Sequence, residues 1–125
     1  MKISERFKLL SDENRLRIVN LILKEDLCAC EIETILELSQ SNTSRHLNKL
    51  KSIFFIESYK DRNWVHYRIK EDRKNNILIK YLEKEFKKEE IYINDLKRLD
   101  KYQKSNMTCT VIREDKESVL DFIKG

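Results

Sequence analysis

The sequence predicts a mainly α-helical protein with one small β-hairpin. Its 125 residues include one glycine and no proline, which favours helices over frequent tight turns. Apolar residues recur at helical spacing along most of the chain, and only two short segments are rich in aromatic and β-branched residues. Apolar residues make up 40% of the sequence, which is enough for the core of a single domain.

Two helices are predicted before residue 39. In residues 12–24, apolar side chains repeat at helical spacing, and Ser11 or Asp12 is a suitable N-cap. Residues 28–38 form a shorter amphipathic segment. The positions expected to face inward are Leu16, Val19, Ile22, Leu23, Ile32, Ile35 and Leu36.

A third helix follows almost at once. Ser39 is a suitable N-cap for residues 40–52, with Leu47 and Leu50 as the buried positions. Because about three residues join the second and third helices, the pair is typical of a helix-turn-helix.

Two segments after the third helix predict the β-hairpin. Residues 54–59 and 64–69 are rich in aromatic and β-branched side chains, and residues 60–63 separate them. The turn lacks glycine, so Asp61 or Asn63 is expected to adopt the left-handed conformation. A hairpin directly after a helix-turn-helix makes a winged helix, and we assign this domain to residues 1–72.

The rest of the chain returns to helical periodicity. Residues 73–104 are expected to form one long helix, or two that separate near residues 87–90. No further domain remains to cover their apolar stripe, so we expect dimerisation through these terminal helices, with packing on the same domain as the alternative. Residues 105–125 form a tail that contains Cys109 and could end in a short helix. The stripe consists of Ile77, Leu78, Tyr81, Leu82, Phe86, Ile93, Leu96 and Leu99.

The distribution of charge points to a nucleic-acid contact. Residues 25–38 carry five acids and no base, whereas residues 40–70 carry seven Lys or Arg against two acids. The net charge of +5 in residues 40–70 exceeds the +4 of the whole chain. A basic segment beside an acidic one is typical of a DNA-binding surface, although a solvated basic face has the same composition.

The compartment is expected to be the cytoplasm. No stretch approaches the roughly 18 to 20 uncharged apolar residues of a membrane span, and the N-terminus is charged where a signal peptide would be apolar. In a reducing compartment, the odd count of three cysteines argues against a disulfide framework.

Four motifs together resemble the ArsR-type (ArsR/SmtB) winged-helix repressors, in particular those that sense arsenic. The motifs are LSDENRLRIVNLI, DLCACEI, LSQSNTSRHLNKLK and RNWVHYRI, in this order, within roughly residues 5–70. The resemblance implies a homodimeric repressor, not an enzyme, that binds double-stranded operator DNA and senses arsenicals or soft metal ions. The long helical region and the tail lie outside the resemblance.

The expected DNA contacts lie at the start of the third helix and at the tip of the wing. The first residues of a recognition helix reach base edges and phosphates in the major groove. Lys60 and Arg62 suit phosphate or minor-groove contacts. Trp64 and Tyr67 are expected to pack under the wing, and His66 to be a strand or interior histidine rather than a ligand. The predicted helix contacts are Gln40, Ser41, Asn42, Ser44, Arg45 and His46, and a solvated polar face is the alternative.

Cys28 and Cys30 form the candidate inducer site. Positions i and i+2 of a regular helix lie about 200° apart, so both sulfurs reach one ion only where a helix begins. Cys28 and Glu31 have the spacing of a capping box with sulfur in place of the hydroxyl. With Cys28 as N-cap, the helix dipole favours thiolates, and thiolates select soft ions.

The resemblance implies As(III) or Sb(III) as inducer, with Cd(II), Pb(II) or Zn(II) as alternatives and no permanent cofactor. As(III) and Sb(III) prefer three sulfurs, and Glu33 stands where some family members have a third cysteine. Cys109, from the same or the partner subunit, is therefore the predicted third ligand, with a small exogenous thiol as the alternative.

The thiols have three other interpretations. A CxC pair can be purely structural, because free cysteines are often small buried hydrophobes. A redox- or persulfide-sensing repressor of the same fold would also use reactive thiols. A Cys–His enzyme is disfavoured because the spacing supports no nucleophile–base pair. Other family members bind zinc through histidines on the C-terminal helix, and the two histidines of this chain lie elsewhere.

Overall fold

Eight α-helices and three short β-strands make up the part of the chain that the structure, a computed structural model, describes: residues 2–53, 55–73 and 76–125, with only the backbone of Arg73. A short 3-10 turn over Glu71–Arg73 follows the last strand. In chain order the elements are α1 Ile3–Leu10, α2 Glu13–Lys24, β1 Leu27–Cys28, α3 Ala29–Leu36, α4 Gln40–Ser52, β2 Ile56–Asp61, β3 Trp64–Ile69, α5 Ile77–Phe86, α6 Glu90–Lys104, α7 Cys109–Glu114 and α8 Lys116–Lys124.

Helices α2, α3 and α4 confirm the predicted helix-turn-helix. The side chain of Asp12 caps α2 by accepting a hydrogen bond from the backbone N–H of Arg15 (3.2 Å). Ser39 Oγ caps α4 by accepting from the backbone N–H of Asn42 (3.1 Å). Glu37 ends α3 in the left-handed conformation, with φ of 56°, so the chain reverses before α4 begins.

Helix α2 is buried on a wider face than predicted. Val19 and Ile22 are buried as expected, whereas Leu16 and Leu23 are only half-buried. Ile18 and Leu21 are fully buried although the helical spacing did not single them out. The reason is that α2 contacts α1, α3, α4, α5 and α6, so a single apolar stripe understates its buried surface.

The wing is an antiparallel hairpin that gains a third strand. β2 pairs with β3 from Ile56↔Ile69 to Asp61↔Trp64. The predicted first strand, 54–59, therefore lies two residues too early, and Phe54 is outside the described residues. β1 adds to the other edge of β3, giving the order β1-β3-β2.

The turn of the wing adopts the left-handed conformation at Arg62, with φ of 58°. The expectation that Asp61 or Asn63 would take this conformation is wrong. Asp61 pairs with Trp64, so the strand register makes Arg62 the first residue of the turn, whatever its intrinsic preference.

Residues 73–104 form two helices, α5 and α6, separated at the charged run that begins with Lys87. Lys74 and Asn75 are outside the described residues. α5 turns Ile79, Leu82 and Phe86 into the core and leaves Ile77 and Tyr81 exposed. Only part of the predicted stripe is therefore covered by the chain itself.

Helix α6 and the tail pack onto the winged-helix part. Arg17 in α2 forms a two-pronged ion pair with Asp95 in α6, with N–O distances of 2.8 and 3.0 Å, and Asp95 is buried. The tail forms α7 and α8, whose Ile112, Val119 and Ile123 join the same core. In the described ranges, every helix is too short or too polar to cross a lipid bilayer.

Candidate functional site

Cys28 lies where β1 ends and α3 begins. It is the N-cap of α3, and its backbone N–H donates a hydrogen bond to Glu31 Oε1 (2.8 Å), as expected for a capping box. Its backbone also pairs with His66 in β3. The first turn of α3 is therefore attached to the wing.

Three cysteines line one pocket. Cys28 and Cys30 come from the start of α3, and Cys109 is the first residue of α7, which packs against α3. Cys28 and Cys109 are buried, Cys30 is half-buried, and all three thiols are free. The structure thus brings together, within one chain, the three cysteines that the sequence analysis selected.

The three thiols differ in acidity. Hydrogen bonding to Cys109 and Cys28, with the backbone N–H groups of the first turn, lowers the pKa of Cys30 to about 3 against the opposing effect of burial. Hydrogen bonding to Cys109 lowers the pKa of Cys28, but Cys30, burial and Glu31 together raise it to about 12. Hydrogen bonding to Cys28 and Cys30, with burial, raises the pKa of Cys109. Of the three cysteines, Cys30 is therefore the one whose surroundings favour the thiolate.

Glu31 connects this pocket to α6. Its Oε1 accepts from the Cys28 backbone, and its Oε2 accepts a short hydrogen bond from the hydroxyl of Tyr102. Burial and this hydrogen bond raise the pKa of the buried Tyr102. Both carboxylate oxygens are therefore used in holding α6 and the first turn of α3 together.

His66 lies beside Cys28, a contact that was not predicted from the sequence. It occupies a strand, as expected, but its Nδ1 is 3.6 Å from Cys28 Sγ. Its ring stacks on Tyr59 with centroids 5.3 Å apart. The β-branched and aromatic residues of β3 predicted a strand, but they did not indicate that Cys28 pairs with it.

Trp64 and Tyr67 both line the thiol pocket rather than only supporting the wing. The guanidinium of Arg113 lies 5.2 Å from the centre of the Trp64 ring, so α7 also contacts the wing. Glu33, in the position of the absent third cysteine, lies at the same pocket, with its Oε1 3.5 Å from Lys116 Nζ.

The exposed face of α4 carries most of the predicted DNA contacts. Gln40, Ser41, Asn42, Ser44 and Arg45 are all exposed at its N-terminal end. Lys60 and Arg62 are exposed at the tip of the wing.

His46 does not belong to that exposed face. It is only 2% exposed, and its Nδ1 accepts a hydrogen bond from Arg15 Nε (3.2 Å). Burial lowers the pKa of His46, which favours the neutral ring that can accept this bond. The assignment of His46 as a DNA contact is wrong because it shares the inward face of α4 with Thr43 and Leu47.

The fold is that of a winged helix-turn-helix regulator. A structure described as reduced HlyU from Vibrio cholerae N16961 matches it with a TM-score of 0.56 and 28% identity, covering 65% of this chain and 88% of that one. The family model described as "Bacterial regulatory protein, arsR family" matches residues 12–55.

Two curated relatives indicate the family further. The cadmium resistance transcriptional regulatory protein CadC of Listeria innocua is 46% identical over 77 residues, which are 61% of this chain and 65% of that protein. The arsenical resistance operon repressor of Bacillus subtilis is 31% identical over 78 residues, which are 62% of this chain and 74% of that protein. Several curated relatives are matched over only 50–65% of their length.

The chain belongs to the arsR family of bacterial regulatory proteins. The predicted resemblance is confirmed, and so is the predicted class of winged helix-turn-helix fold. Because this is a family of regulators, the prediction that the chain is not an enzyme is confirmed as well.

Proposed function

We propose that this protein is a cytoplasmic transcriptional repressor that binds operator DNA as a homodimer and is released by a soft ion. The ion is held by Cys28, Cys30 and Cys109, with As(III) or Sb(III) as the preferred inducer and Cd²⁺, Pb²⁺ or Zn²⁺ as alternatives. The observation that carries the proposal is the convergence of these three thiols in a single pocket, in which the pKa of Cys30 is lowered.

The pocket suits a soft ion on chemical grounds. Sulfur ligands disfavour Mg²⁺, Ca²⁺ and Mn²⁺, and an ionised Cys30 provides the form of the side chain that binds metal. The relatives named above are a cadmium regulator and an arsenical repressor, which supports a soft ion without deciding between the two.

The proposed DNA surface consists of the exposed start of α4 and the tip of the wing. Its amide, hydroxyl and guanidinium groups can bind base edges, and Lys60 and Arg62 can bind phosphates. The net charge of +5 over residues 40–70 supports attraction to DNA.

Exposed apolar side chains support dimerisation through the terminal helices. Ile3 and Phe7 in α1 are 70% and 54% exposed, and Ile77 and Tyr81 in α5 are 87% and 59% exposed. Ile3, Phe7 and Leu78 line one groove, so the two helices share a surface. Apolar patches of this kind mark protein–protein interfaces.

Release follows from the position of α3. Cys28 and Cys30 lie at its first residues, and its C-terminal end leads within three residues into α4. Cys28 also pairs with the wing, so a change in the first turn of α3 moves both parts of the DNA surface. A coupling of about 1–3 kcal/mol would weaken DNA binding roughly 5- to 150-fold.

Redox sensing is the second candidate function. A thiolate such as Cys30 is the form that oxidants attack, and two further thiols lie in the same pocket. Hydrogen peroxide or polysulfide, rather than a soft ion, would then release DNA.

Fluorescence anisotropy on a duplex selected by the protein from a random library tests both functions. We expect saturating arsenite or Cd²⁺ to release the DNA, and Cys28→Ser to abolish the response while leaving DNA binding intact. Complexes that survive both ions would contradict the proposal. Release by peroxide alone would establish the redox alternative.

A further inference from the structure

The imidazole of His66 contacts Cys28, one of the three thiols of the pocket. Its Nδ1 and Nε2 lie 3.6 and 3.9 Å from Cys28 Sγ. Within the ranges that the structure describes, this sulfur is the one hydrogen-bond partner of either ring nitrogen. Strand pairing of Cys28 with His66 and stacking of the ring on Tyr59 hold it in place.

We propose that His66 is the fourth ligand of a tetrahedral divalent ion of the Zn²⁺ or Cd²⁺ class, beside Cys28, Cys30 and Cys109. The inference rests on the proposed function, because it adds a ligand to the same thiol site. It assigns a ligand to the wing itself, so the ion would bridge α3, α7 and β3.

The spacing of the two atoms fits tetrahedral coordination. Zinc binds sulfur at about 2.3 Å and imidazole nitrogen at about 2.0–2.1 Å, so the two ligand atoms of a tetrahedral ion lie about 3.6 Å apart. Cys28 Sγ and His66 Nδ1 are 3.6 Å apart. Three cysteines and one histidine are also a common set of zinc ligands.

Glu31 is the competing ligand, and its hydrogen bonds disfavour it. The ligand atoms of Cys28, Glu31 and His66 all lie within 4.8 Å of one another. However, both oxygens of Glu31 accept hydrogen bonds, from the Cys28 backbone and from Tyr102. An ion would compete with these hydrogen bonds for the carboxylate, whereas His66 has only its contact with Cys28 to exchange.

His66 would then distinguish two classes of inducer. A divalent ion completes its tetrahedron with the imidazole, whereas As(III) is satisfied by a pyramid of three sulfurs. Removal of the imidazole should therefore weaken binding of Cd²⁺ and Zn²⁺ and leave binding of arsenite unchanged.

The test compares His66→Gln with His46→Gln in the full, reduced chain. His46 is the matched control because it is the only other histidine and is bonded to Arg15, away from the thiols. Chelator competition measures Cd²⁺ and Zn²⁺ affinity, and the thiolate absorption band follows arsenite. We expect His66→Gln to lower the affinity for Cd²⁺ and Zn²⁺ by at least about 10-fold. Even residues that only hydrogen-bond to a metal ligand change metal affinity by about 10- to 100-fold when they are mutated. An unchanged Cd²⁺ affinity, or an equal loss for arsenite, would overturn the inference.

A measurement on the unaltered protein does not depend on how the variants fold. ¹¹³Cd NMR and X-ray absorption count the sulfur and nitrogen ligands, and three sulfurs with one nitrogen are expected. Three sulfurs with oxygen, or four sulfurs, would overturn the role of His66 but leave the proposed function standing. A protein that binds neither Cd²⁺ nor arsenite at its cysteines would contradict the proposed function itself.

Discussion

The exposed face of α4 and the thiol pocket are built in different ways. The side chains proposed to contact DNA come from the first six residues of one helix, except the buried Thr43, and from the tip of the wing. The pocket instead combines Cys28 and Cys30 from the start of α3 with Cys109 from α7, and His66 from β3 contacts Cys28. A surface of many separate contacts tolerates the loss of one, whereas a site assembled around one ion depends on each ligand.

Helix α3 is the part of the molecule that the two regions share. Its N-terminal end carries two of the cysteines, and its C-terminal end turns at Glu37 into α4. Tyr102 in α6 donates a hydrogen bond to Glu31, which lies in the first turn of α3. The two regions also meet at Gln40, which lines the thiol pocket, so they are tested separately at residues that belong to one region only, such as Cys30 and Arg45.

The largest expected effect is that of Cys30→Ser on ion binding. The loss of this thiol should lower the affinity for arsenite and Cd²⁺ by at least about 100-fold. This is more than the loss of affinity expected when a residue that only hydrogen-bonds to a metal ligand is mutated. DNA affinity in the absence of ion should stay unchanged, because Cys30 lies at the opposite end of α3 from α4. Isothermal titration calorimetry for the ions and anisotropy for DNA measure the two effects.

Ala29→Ser is the matched control for that experiment, because Ala29 lies between the two cysteines. It should leave ion affinity within a few-fold of the unaltered protein. If Cys30→Ser also abolished DNA binding of the ion-free protein, the proposed separation of the two regions would be wrong.

A smaller effect is expected from Arg45→Ala on the DNA surface. The exposed guanidinium can form a bidentate contact with a base, so its loss should cost about 1–3 kcal/mol of DNA binding, roughly 5- to 150-fold. Ion affinity should not change. Lys101→Ala, an exposed basic residue on α6, serves as the control in the same anisotropy assay. Equal losses for both variants would show that only general charge matters.

The smallest expected effect is that of Arg62→Gly, which acts on stability and DNA binding in opposite directions. The left-handed conformation of Arg62 costs about 1 kcal/mol that glycine avoids, so the free energy of unfolding should rise by about that amount. The loss of one phosphate contact should reduce the salt dependence of DNA binding by about one unit of slope.

Urea unfolding and anisotropy at several salt concentrations measure these two changes. Asn63→Gly is the control, because Asn63 lies in the same turn but does not have a positive φ. A loss of stability in Arg62→Gly, or a salt slope equal to that of the control, would argue against the proposed role of the wing tip.

Local signals in the sequence predicted the DNA-facing region well. Asp12 and Ser39 cap α2 and α4 where expected, and β3 has its predicted bounds. The burial of His46 was also open to prediction, because it lies three and four residues from Thr43 and Leu50, which share its inward face. Helix α1 was missed because its short segment carries no strong N-terminal signal.

The sequence predicted which cysteines form the thiol pocket, but not that His66 lies beside Cys28. The spacing of Cys28 and Glu31 predicted the start of α3, and elimination selected Cys109. The approach of His66 depends on the pairing of a two-residue strand, β1, with β3, and such a short strand forms only through contacts with distant residues. Sequence periodicity contains no information about that pairing.

The central claim is that ion capture in the thiol pocket and DNA binding oppose each other, and a closed thermodynamic cycle tests it most directly. Cd²⁺ or arsenite affinity is measured for the free protein and for the protein saturated with its selected duplex. Because coupling is reciprocal, we predict that DNA weakens ion binding by the same factor by which the ion weakens DNA binding, about 5- to 150-fold. Equal ion affinities in the free and the DNA-bound protein would contradict the account.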